Sequence, residues 1–314
     1  MEDFVARTDL IPRDDLRALS RRSDGPALLH LASHLGALAL SGTAITFAAG
    51  TWWLAPAMLV HGVLLVFLFT SHHECIHGTA FRTRWLNDAA NWVFAVLLAY
   101  PRTWFRCFHF AHHRYTQDPA RDPELLQAMP ATRAAFAWWA TGLPYWYGKL
   151  RLILRIAATA KVQPAFVPPA QKPAVVRECR IILACWAGVA ALAAATDPLA
   201  PLLYWIGPAL LGQPFLRLYL NAEHGGCAYT GDMLQNARTT LAGPVVRWLA
   251  WNMPYHTEHH VFPAVPYHAL PAVHARMRDR LRVTAPSHAA VNRDLWRALP
   301  AAPATAEVSD GRSG

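Results

Sequence analysis

The 314-residue sequence predicts an all-α fold: a membrane bundle of four transmembrane helices with a cytoplasmic helical cap that holds a histidine-rich dimetal site. Three observations predict it. The chain is 54% hydrophobic and only 16% charged, more apolar than soluble domains of its size. Four stretches are apolar for about the 20 residues that the hydrocarbon core of a bilayer requires. Histidines, finally, recur at helical spacing in three separated places.

The elements follow in order. Residues 1–26 are polar and charged, with no apolar core; they read as a cytoplasmic N-terminal segment and not as a signal peptide. Residues 27–49 and 52–71 are the first two spans, joined by Gly50-Thr51 into a helical hairpin. Residues 181–196 and 199–220 form a second hairpin around Asp197-Pro198, the first of the two being short and open to an earlier start. Stretches 89–100, 134–156 and 241–251 are too short, or too interrupted by Arg, Lys and Pro, to span; they are expected as interfacial or bundle-covering helices. Residues 162–173 are a proline-rich connector, and residues 291–314 are expected to form a largely disordered tail. One membrane domain, 27–290, remains.

Charge orients it. Neither Gly50-Thr51 nor Asp197-Pro198 contains Lys or Arg, so all 29 basic residues fall in the N-terminal segment, in 72–180, or from Arg217 onward. By the positive-inside rule these regions are cytoplasmic, as are both termini, and the expected location is a bacterial inner membrane. The same rule accounts for the net charge of +9. No nucleic-acid-binding motif accompanies it, and no nucleic-acid partner is expected.

The chemistry is concentrated in imidazole. His73 and His77 are four apart directly after the second span, while residues 109–113 read HFAHH and residues 256–260 read HTEHH. Residues three and four apart share a helix face, so His73 with His77, His109 with His112 and His113, and His256 with His259 and His260 each present rings in one direction. With all three clusters on one side of the membrane they can converge on metal. NAEH at 221–224, where the last span exits on that side, brings His224 as a ninth contributor. A structural zinc site takes four ligands and a catalytic one three; eight or nine imply two ions. Imidazole suits zinc, copper, iron and nickel alike, so ligand type does not choose the metal. A carboxylate-bridged pair in a four-helix bundle needs Glu-x-x-His on two helices, and here only Glu74 to His77 has it. A dinuclear all-histidine site remains. His61, His268, His274 and His288 lack periodic partners and are expected to pack. His30 and His34 are expected at a helix interface or behind the ligands, and His72 points away from the His73/His77 face.

In their order, separations and span layout over residues 27–290, HECIHG, HFAHHRYTQDP and HTEHHVFP resemble the three histidine boxes of the integral-membrane fatty-acid desaturase superfamily. That superfamily also contains hydroxylases, carotenoid-modifying oxygenases and terminal-alkene-forming decarboxylases. The resemblance implies two iron ions, O2 as cosubstrate, and removal of hydrogens from an unactivated alkyl chain of a lipid or fatty-acyl substrate. It assigns His73, His77, His109, His112, His113, His256, His259 and His260 as ligands. It adds His224, with Asn221 near the metal. The first box has three residues between its histidines, as in the methyl-end and sphingolipid-type branches, whereas the stearoyl-type acyl-CoA branch has four. From a different class, a zinc-dependent membrane hydrolase would use a similar ligand set without O2.

Cleaving an alkyl C–H bond needs an oxidant that side chains do not supply. Electrons must also come from outside, because the chain has no Gly-x-Gly-x-x-Gly, no cysteine cluster and no haem-attachment motif; a separate ferredoxin- or cytochrome-type donor is implied. The five cysteines are expected to be reduced and packed. Glu74, Glu223, Glu258, Asp118, Asp122 and Glu124 are candidates to support the ligands from outside, or to pair with Arg114 or Arg121. Arg82, Arg84, Arg102 and Arg106 are placed to grip an anionic head group, an acidic donor or lipid phosphate. A substrate tunnel is expected between the spans, past Trp53, Ala57, Phe67, Trp205 and Phe215, with its mouth near Arg102 and Arg106.

Overall fold

The computed structural model describes residues 9–126 and 129–301. Its α-helices are α1 (Arg13–Leu19), α2 (Asp24–Ala48), α3 (Leu54–His77), α4 (Arg84–Leu97), α5 (Arg102–Tyr115), α6 (Arg133–Ala140), α7 (Leu143–Thr159), α8 (Lys172–Ala195), α9 (Gly207–His224), α10 (Met233–Asn236), α11 (Pro244–Leu249), α12 (His256–Val261), α13 (Leu270–Met277) and α14 (His288–Ala298). Among the described residues the all-α expectation is departed from by a two-residue parallel ladder, Thr239–Thr240 (β1) with Thr284–Ala285 (β2), and a single bridge from Thr239 to Tyr255, where β-branched residues sit in extended backbone.

α3 is the organising element and packs against α2, α4, α5 and α9. Its 24 residues make a rod of about 36 Å, longer than the roughly 30 Å of hydrocarbon. The helix stops where Gly78 enters the left-handed region (φ 68°) and its N–H reaches the Cys75 carbonyl at 3.0 Å, an ending that favours glycine. Along the rod the surroundings change. Val60 is exposed, whereas Leu65, Val66, Phe67 and Leu68 and then Thr70 to Ile76 are buried.

Three helices are long and apolar enough to cross a membrane: α2, α3, and α8 with the turn before it, Pro169–Ala195. α8 begins well before the expected Ile181. The fourth expected span is broken: a π-helical turn, Leu202–Ile206, leads into α9, which carries Pro208 at its start and Pro214 inside. Prolines remove backbone donors and loosen the helical ladder, and Arg217 lowers the hydropathy further. On the outside, Leu40 (75% exposed), Phe47 (82%) and Leu192 (65%) form an apolar belt of the kind that water-soluble surfaces avoid. The stretch 134–156 forms two helices, α6 and α7, hinged at Gly142 (φ 73°). Packed structure runs past residue 290: α14 lies on α9 and buries Val291 and Asn292. The expected disorder at 302–314 falls outside the described residues.

The non-ligand histidines hold helices together. His61 Nδ1 bonds Ser41 Oγ at 2.8 Å and its Nε2 lies 3.1 Å from the Tyr204 carbonyl. His30 Nε2 donates to the Trp248 carbonyl at 2.7 Å, and His34 Nε2 to that of Leu64 at 2.8 Å. His72 stacks on Phe105, turned away from its neighbours' face as the helical period requires.

α3 and α9 cross at a pair of glycines. A Cβ on Gly62 would lie 1.9 Å from the Pro208 carbonyl oxygen, and one on Gly212 would lie 2.2 Å from the Gly62 carbonyl carbon. No side chain fits there without moving backbone. Gly212→Leu is therefore expected to cost at least about 1–3 kcal/mol and to lower the thermal midpoint of detergent-solubilised protein. Gly188→Leu, at a position with nothing within 4 Å, should leave that midpoint unchanged. Equal midpoints for the two variants would contradict the close crossing.

Candidate metal centre

Four elements bring nine imidazoles to one place. α3 ends in His73 and His77, α5 carries His109, His112 and His113, α9 ends in His224, and the six-residue α12 carries His256, His259 and His260. α12 is preceded by Trp251 and Asn252, both at positive φ (50° and 56°), a bend that turns the chain back into the bundle.

The nine divide into two groups. His73, His77, His109, His113 and His259 form the first, and His112, His224, His256 and His260 the second; within each, one ligand atom per residue lies within 4.8 Å of all the others. The split explains the repeated His-x-x-His-His. Residues four apart share a face, but adjacent residues point about 100° apart on a helix of 3.6 residues per turn, so each box serves both groups. α5 gives His109 and His113 to the first group and His112 to the second. α12 does the reverse, giving His256 and His260 to the second and His259 to the first.

Nitrogens face one another inside each group. His109 Nε2 lies 2.7 Å from His77 Nε2 and 2.9 Å from His113 Nε2, and His259 Nε2 is 3.2 Å from His113 Nε2. In the second group His224 Nε2 is 3.2 Å from His112 Nε2 and 2.8 Å from His256 Nε2. Nitrogens held at about 2.0–2.1 Å from one ion stand roughly 3 Å apart, so the spacing fits metal binding.

The outer nitrogens decide what the inner ones carry. His112 Nδ1 donates to Asp122 Oδ1 and Oδ2 at 3.0 and 3.1 Å, and His224 Nδ1 donates to the Asn236 carbonyl at 2.9 Å. The Thr116 hydroxyl gives its hydrogen to the His112 carbonyl at 2.7 Å and accepts from His260 Nδ1 at 3.2 Å. A neutral imidazole has one N–H. With that hydrogen spent outward, the Nε2 atoms of His112, His224 and His260 turn lone pairs inward, and His260 Nε2 is buried with no hydrogen-bond partner. Burial, reinforced by neighbouring histidines, pushes the pKa values of His109, His113, His256, His259 and His260 well down and keeps those rings neutral. In His112 burial acts the same way, but Glu124 and then Asp122 outweigh it and raise the pKa. In the second group, converging lone pairs beside carboxylates that favour positive charge fit a cation; in the first, the close approach of neutral rings fits one.

The carboxylates divide as well. Asp122 supports His112, Glu124 Oε2 stands 3.7 Å from the same Nδ1, and Glu223 Oε1 is 3.4 Å from His256 Nδ1. Asp118 instead pairs with Arg121 at 2.6 Å. Glu74 and Glu258 anchor the box helices. Glu74 Oε2 accepts from Thr79 Oγ1 at 2.9 Å and from the Tyr267 backbone N–H at 3.2 Å. Glu258 accepts from Thr239 Oγ1 at 2.6 Å and meets His274 Nδ1 at 2.5 Å. Asn221 lines the cavity beside His224, its Nδ2 donating to Asn292 Oδ1 at 2.9 Å. The sequence reading missed Thr116, Asn236, Thr239 and His274; only the Asx or Thr character of the first three hinted at a capping or supporting role. The five cysteines are free, and Cys75, Cys179 and Cys227 are buried.

A cavity of about 1010 Å³ opens against the ligands, with His73, His109, His112, His224 and His256 on one wall and aromatics from Tyr100 to Phe108 and from Phe136 to Tyr145 on the other. None of the residues expected to line a tunnel, Trp53, Ala57, Phe67, Trp205 and Phe215, lines this cavity. Trp53 is 57% exposed and stacks on Trp52, and Phe215 is 49% exposed. Phe67 packs on Tyr219, and Trp205 donates to the Leu97 carbonyl at 2.9 Å. In a membrane protein such residues satisfy themselves against lipid or neighbouring helices. Arg102 pairs with Asp88. Arg106 donates to the Ile76 carbonyl and lies over Phe110, so neither lines the cavity.

Over residues 25–291 the sequence matches the family model described as fatty acid desaturase. The chain belongs to the fatty acid desaturase family. Among its relatives, the sphingolipid delta(4)-desaturase/C4-monooxygenase of Mus musculus is 26% identical over 71% of this chain and 65% of that protein. The dihydrorhizobitoxine desaturase of Bradyrhizobium elkanii is 26% identical over 73% of this chain and 69% of its own length. The sn-1 oleoyl-lipid 12-desaturase of Anabaena variabilis is 29% identical over 32% of this chain and 33% of its own. The chain thus spans just under two thirds of the mouse protein and a third of the Anabaena one.

In this desaturase-family site Asp122 contacts a ligand from outside. Asp122→Ala is expected to weaken metal binding about 10- to 100-fold, read as metal retained after dialysis against a graded chelator series. Asp118→Ala, which removes only the contact to Arg121, should retain metal like the parent; equal retention in both variants would contradict the role of Asp122.

Proposed function

We propose that this chain is an integral-membrane oxidoreductase that uses two iron ions and O2 to desaturate a fatty-acyl or related alkyl chain. The observation that carries the reading is the pair of all-imidazole groups with inward lone pairs, set against an aromatic cavity. His73, His77, His109, His113 and His259 would hold one ion and His112, His224, His256 and His260 the other, with Asn221 beside the second on the cavity wall. Bound there, the iron pair would supply the oxidising power for C–H cleavage.

The protein's part is positioning and exclusion. Asp122, Asn236 and Thr116 fix three rings with their lone pairs inward. The aromatic wall receives the methylenes, each worth about 0.8 kcal/mol when buried, and so sets which carbons stand opposite the ligands. Removing two hydrogens while O2 goes to water requires two electrons and two protons from outside, which a separate ferredoxin- or cytochrome-type donor supplies. Hydroxylation, carotenoid oxidation or decarboxylation would begin with the same C–H cleavage; the name of the mouse relative pairs desaturation with monooxygenation.

Incubation with a reduced ferredoxin system and lipid extract, with and without O2, followed by mass spectrometry, tests the reading. An O2-dependent product two hydrogens lighter is expected, from protein containing two iron ions per chain. His112→Ala and His259→Ala, which strike different groups, should each abolish product and lower the metal content while the protein still inserts. Turnover without O2 would overturn the oxygen-dependent reading in favour of hydrolytic zinc chemistry.

The same reading places α2, α3, α8 and the segment Leu202–His224 as four spans, with the metal centre and both termini cytoplasmic. A phosphatase reporter active only outside the cytoplasm, fused after Gly314, should be inactive. An active fusion would refute the even span count.

A further inference from the structure

Among the residues lining the cavity, two basic side chains, Lys149 and Arg217, have no ion-pair partner within reach. Lys149 is only 8% exposed. Its Nζ sits over the rings of Tyr100 (3.0 Å to the centroid), Trp104 (4.6 Å) and Tyr145 (5.4 Å). Arg217, from α9, lies over Trp139 (4.0 Å) and over the other reach of the same Tyr145 ring (5.6 Å). Both line the cavity. Among the described residues neither forms an ion pair or a hydrogen bond, and Arg217 Nε is buried with no partner.

An ammonium removed from water without a carboxylate is strongly disfavoured, and ring faces return only part of the loss. Burial accordingly pushes the Lys149 pKa well down. The buried acids near the centre have fixed counterparts: Asp122 has His112, Glu178 has the Thr103 backbone N–H and hydroxyl, and Glu258 has His274. Lys149 and Arg217 face open space instead. Of the acids that share the cavity, Glu223 stands by His256 and Glu124 by His112; Glu124 is near enough to act on the charge of Arg217 but forms no ion pair with it. The wall is not remote from the ligands. From Lys149 the path runs over Tyr100 to Phe105, centroids 4.4 Å apart, and from Phe105 to His109, 5.5 Å apart.

We propose that Lys149 and Arg217 together bind the carboxylate of the substrate inside the aromatic cavity, so that the chain acts on a free carboxylic acid with its hydrocarbon directed toward the histidine wall. A guanidinium fork suits a carboxylate, and the ammonium adds a point charge from the second side. The assignment rests on the alkyl-chain reading above, deepens it by naming the head group, and moves the head-group contact from Arg102 and Arg106, which are already engaged.

The test is binding, independent of turnover. Metal-loaded full-length protein in detergent is titrated calorimetrically with saturated carboxylates from hexanoate to hexadecanoate and with the alcohols of the same lengths. At the chain length that fits best, the carboxylate should bind at least about tenfold more tightly than its alcohol. Lys149→Met, which keeps the apolar stem, and Arg217→Gln should each erase that preference while metal content stays at the parental level. If no carboxylate outbinds its alcohol in the parent protein, the assignment is overturned, whatever the variants do. If the preference survives both substitutions, the carboxylate is held elsewhere, at the metals, and the assignment falls equally. O2-dependent conversion of neutral chains alone would sink the head-group assignment and leave the oxidoreductase reading standing.

Discussion

Nine imidazoles aimed at one another repel before anything binds them, and the rest of the bundle is arranged to withstand that repulsion. Nitrogens 2.8 to 3.2 Å apart in the second group are held there by ties from behind on three of its four rings. The ties come from every direction: Asp122 just beyond α5, Asn236 at the end of α10, Thr116 after α5. The box helices are themselves anchored, α3 through Glu74 to the Tyr267 backbone and α12 through Glu258 to Thr239 and His274. The glutamates inside the boxes therefore act on helix position and not on the ligands. This order of support, ring by partner and helix by glutamate, resembles the outer hydrogen bonding that metal sites need to hold ligand geometry.

Helical arithmetic made much of the centre legible. The spacing of His109, His112 and His113, and of His256, His259 and His260, indicates helices bearing convergent rings, and all nine expected histidines fall into the two groups. The division between groups was also implicit in the 100° step between adjacent residues. What periodicity could not show is anything that depends on distant chain segments meeting. Asp118 and Asp122 look alike in sequence, yet one faces Arg121 and the other His112. Asn236 and His274 reach their partners across folds of the chain that no local pattern records. The tunnel failed for a different reason. In a bilayer an aromatic side chain is equally at home against lipid, against a neighbouring helix or in a cavity, so Trp53 and Phe215 carried no directional information. The stretch expected as the last span is helical, but its prolines and the π-turn at Leu202–Ile206 divide it into pieces that hydropathy alone joins.

The irregularity of that segment and the closeness of α3 to α9 are two sides of one requirement. His73 and His77 leave α3, and His224 leaves α9, at matching depth, so the two helices must run side by side over most of their length. Gly62 and Gly212 permit backbone contact, the small-residue packing that membrane helices use where no hydrophobic force drives them together. Pro208 and Pro214 then sit where a neighbour can cover the loosened backbone, which is the condition on which bilayers tolerate them.

Charge is distributed unevenly about the cavity, and the unevenness bears on what can enter. Close to the second histidine group are Asp122, Glu124 and Glu223, enough negative charge to offset a bound cation. Lys149 and Arg217, among the aromatics, form no ion pair with them, although Glu124 is near enough to act on Arg217. A neutral chain entering here would leave that wall uncompensated, while an anion placed against the histidine wall would meet the carboxylates that already serve it. Only a ligand polarised end to end, negative toward Lys149 and Arg217 and apolar toward the ligands, lowers the electrostatic cost at both walls together, and an alkyl carboxylate is the simplest molecule of that form.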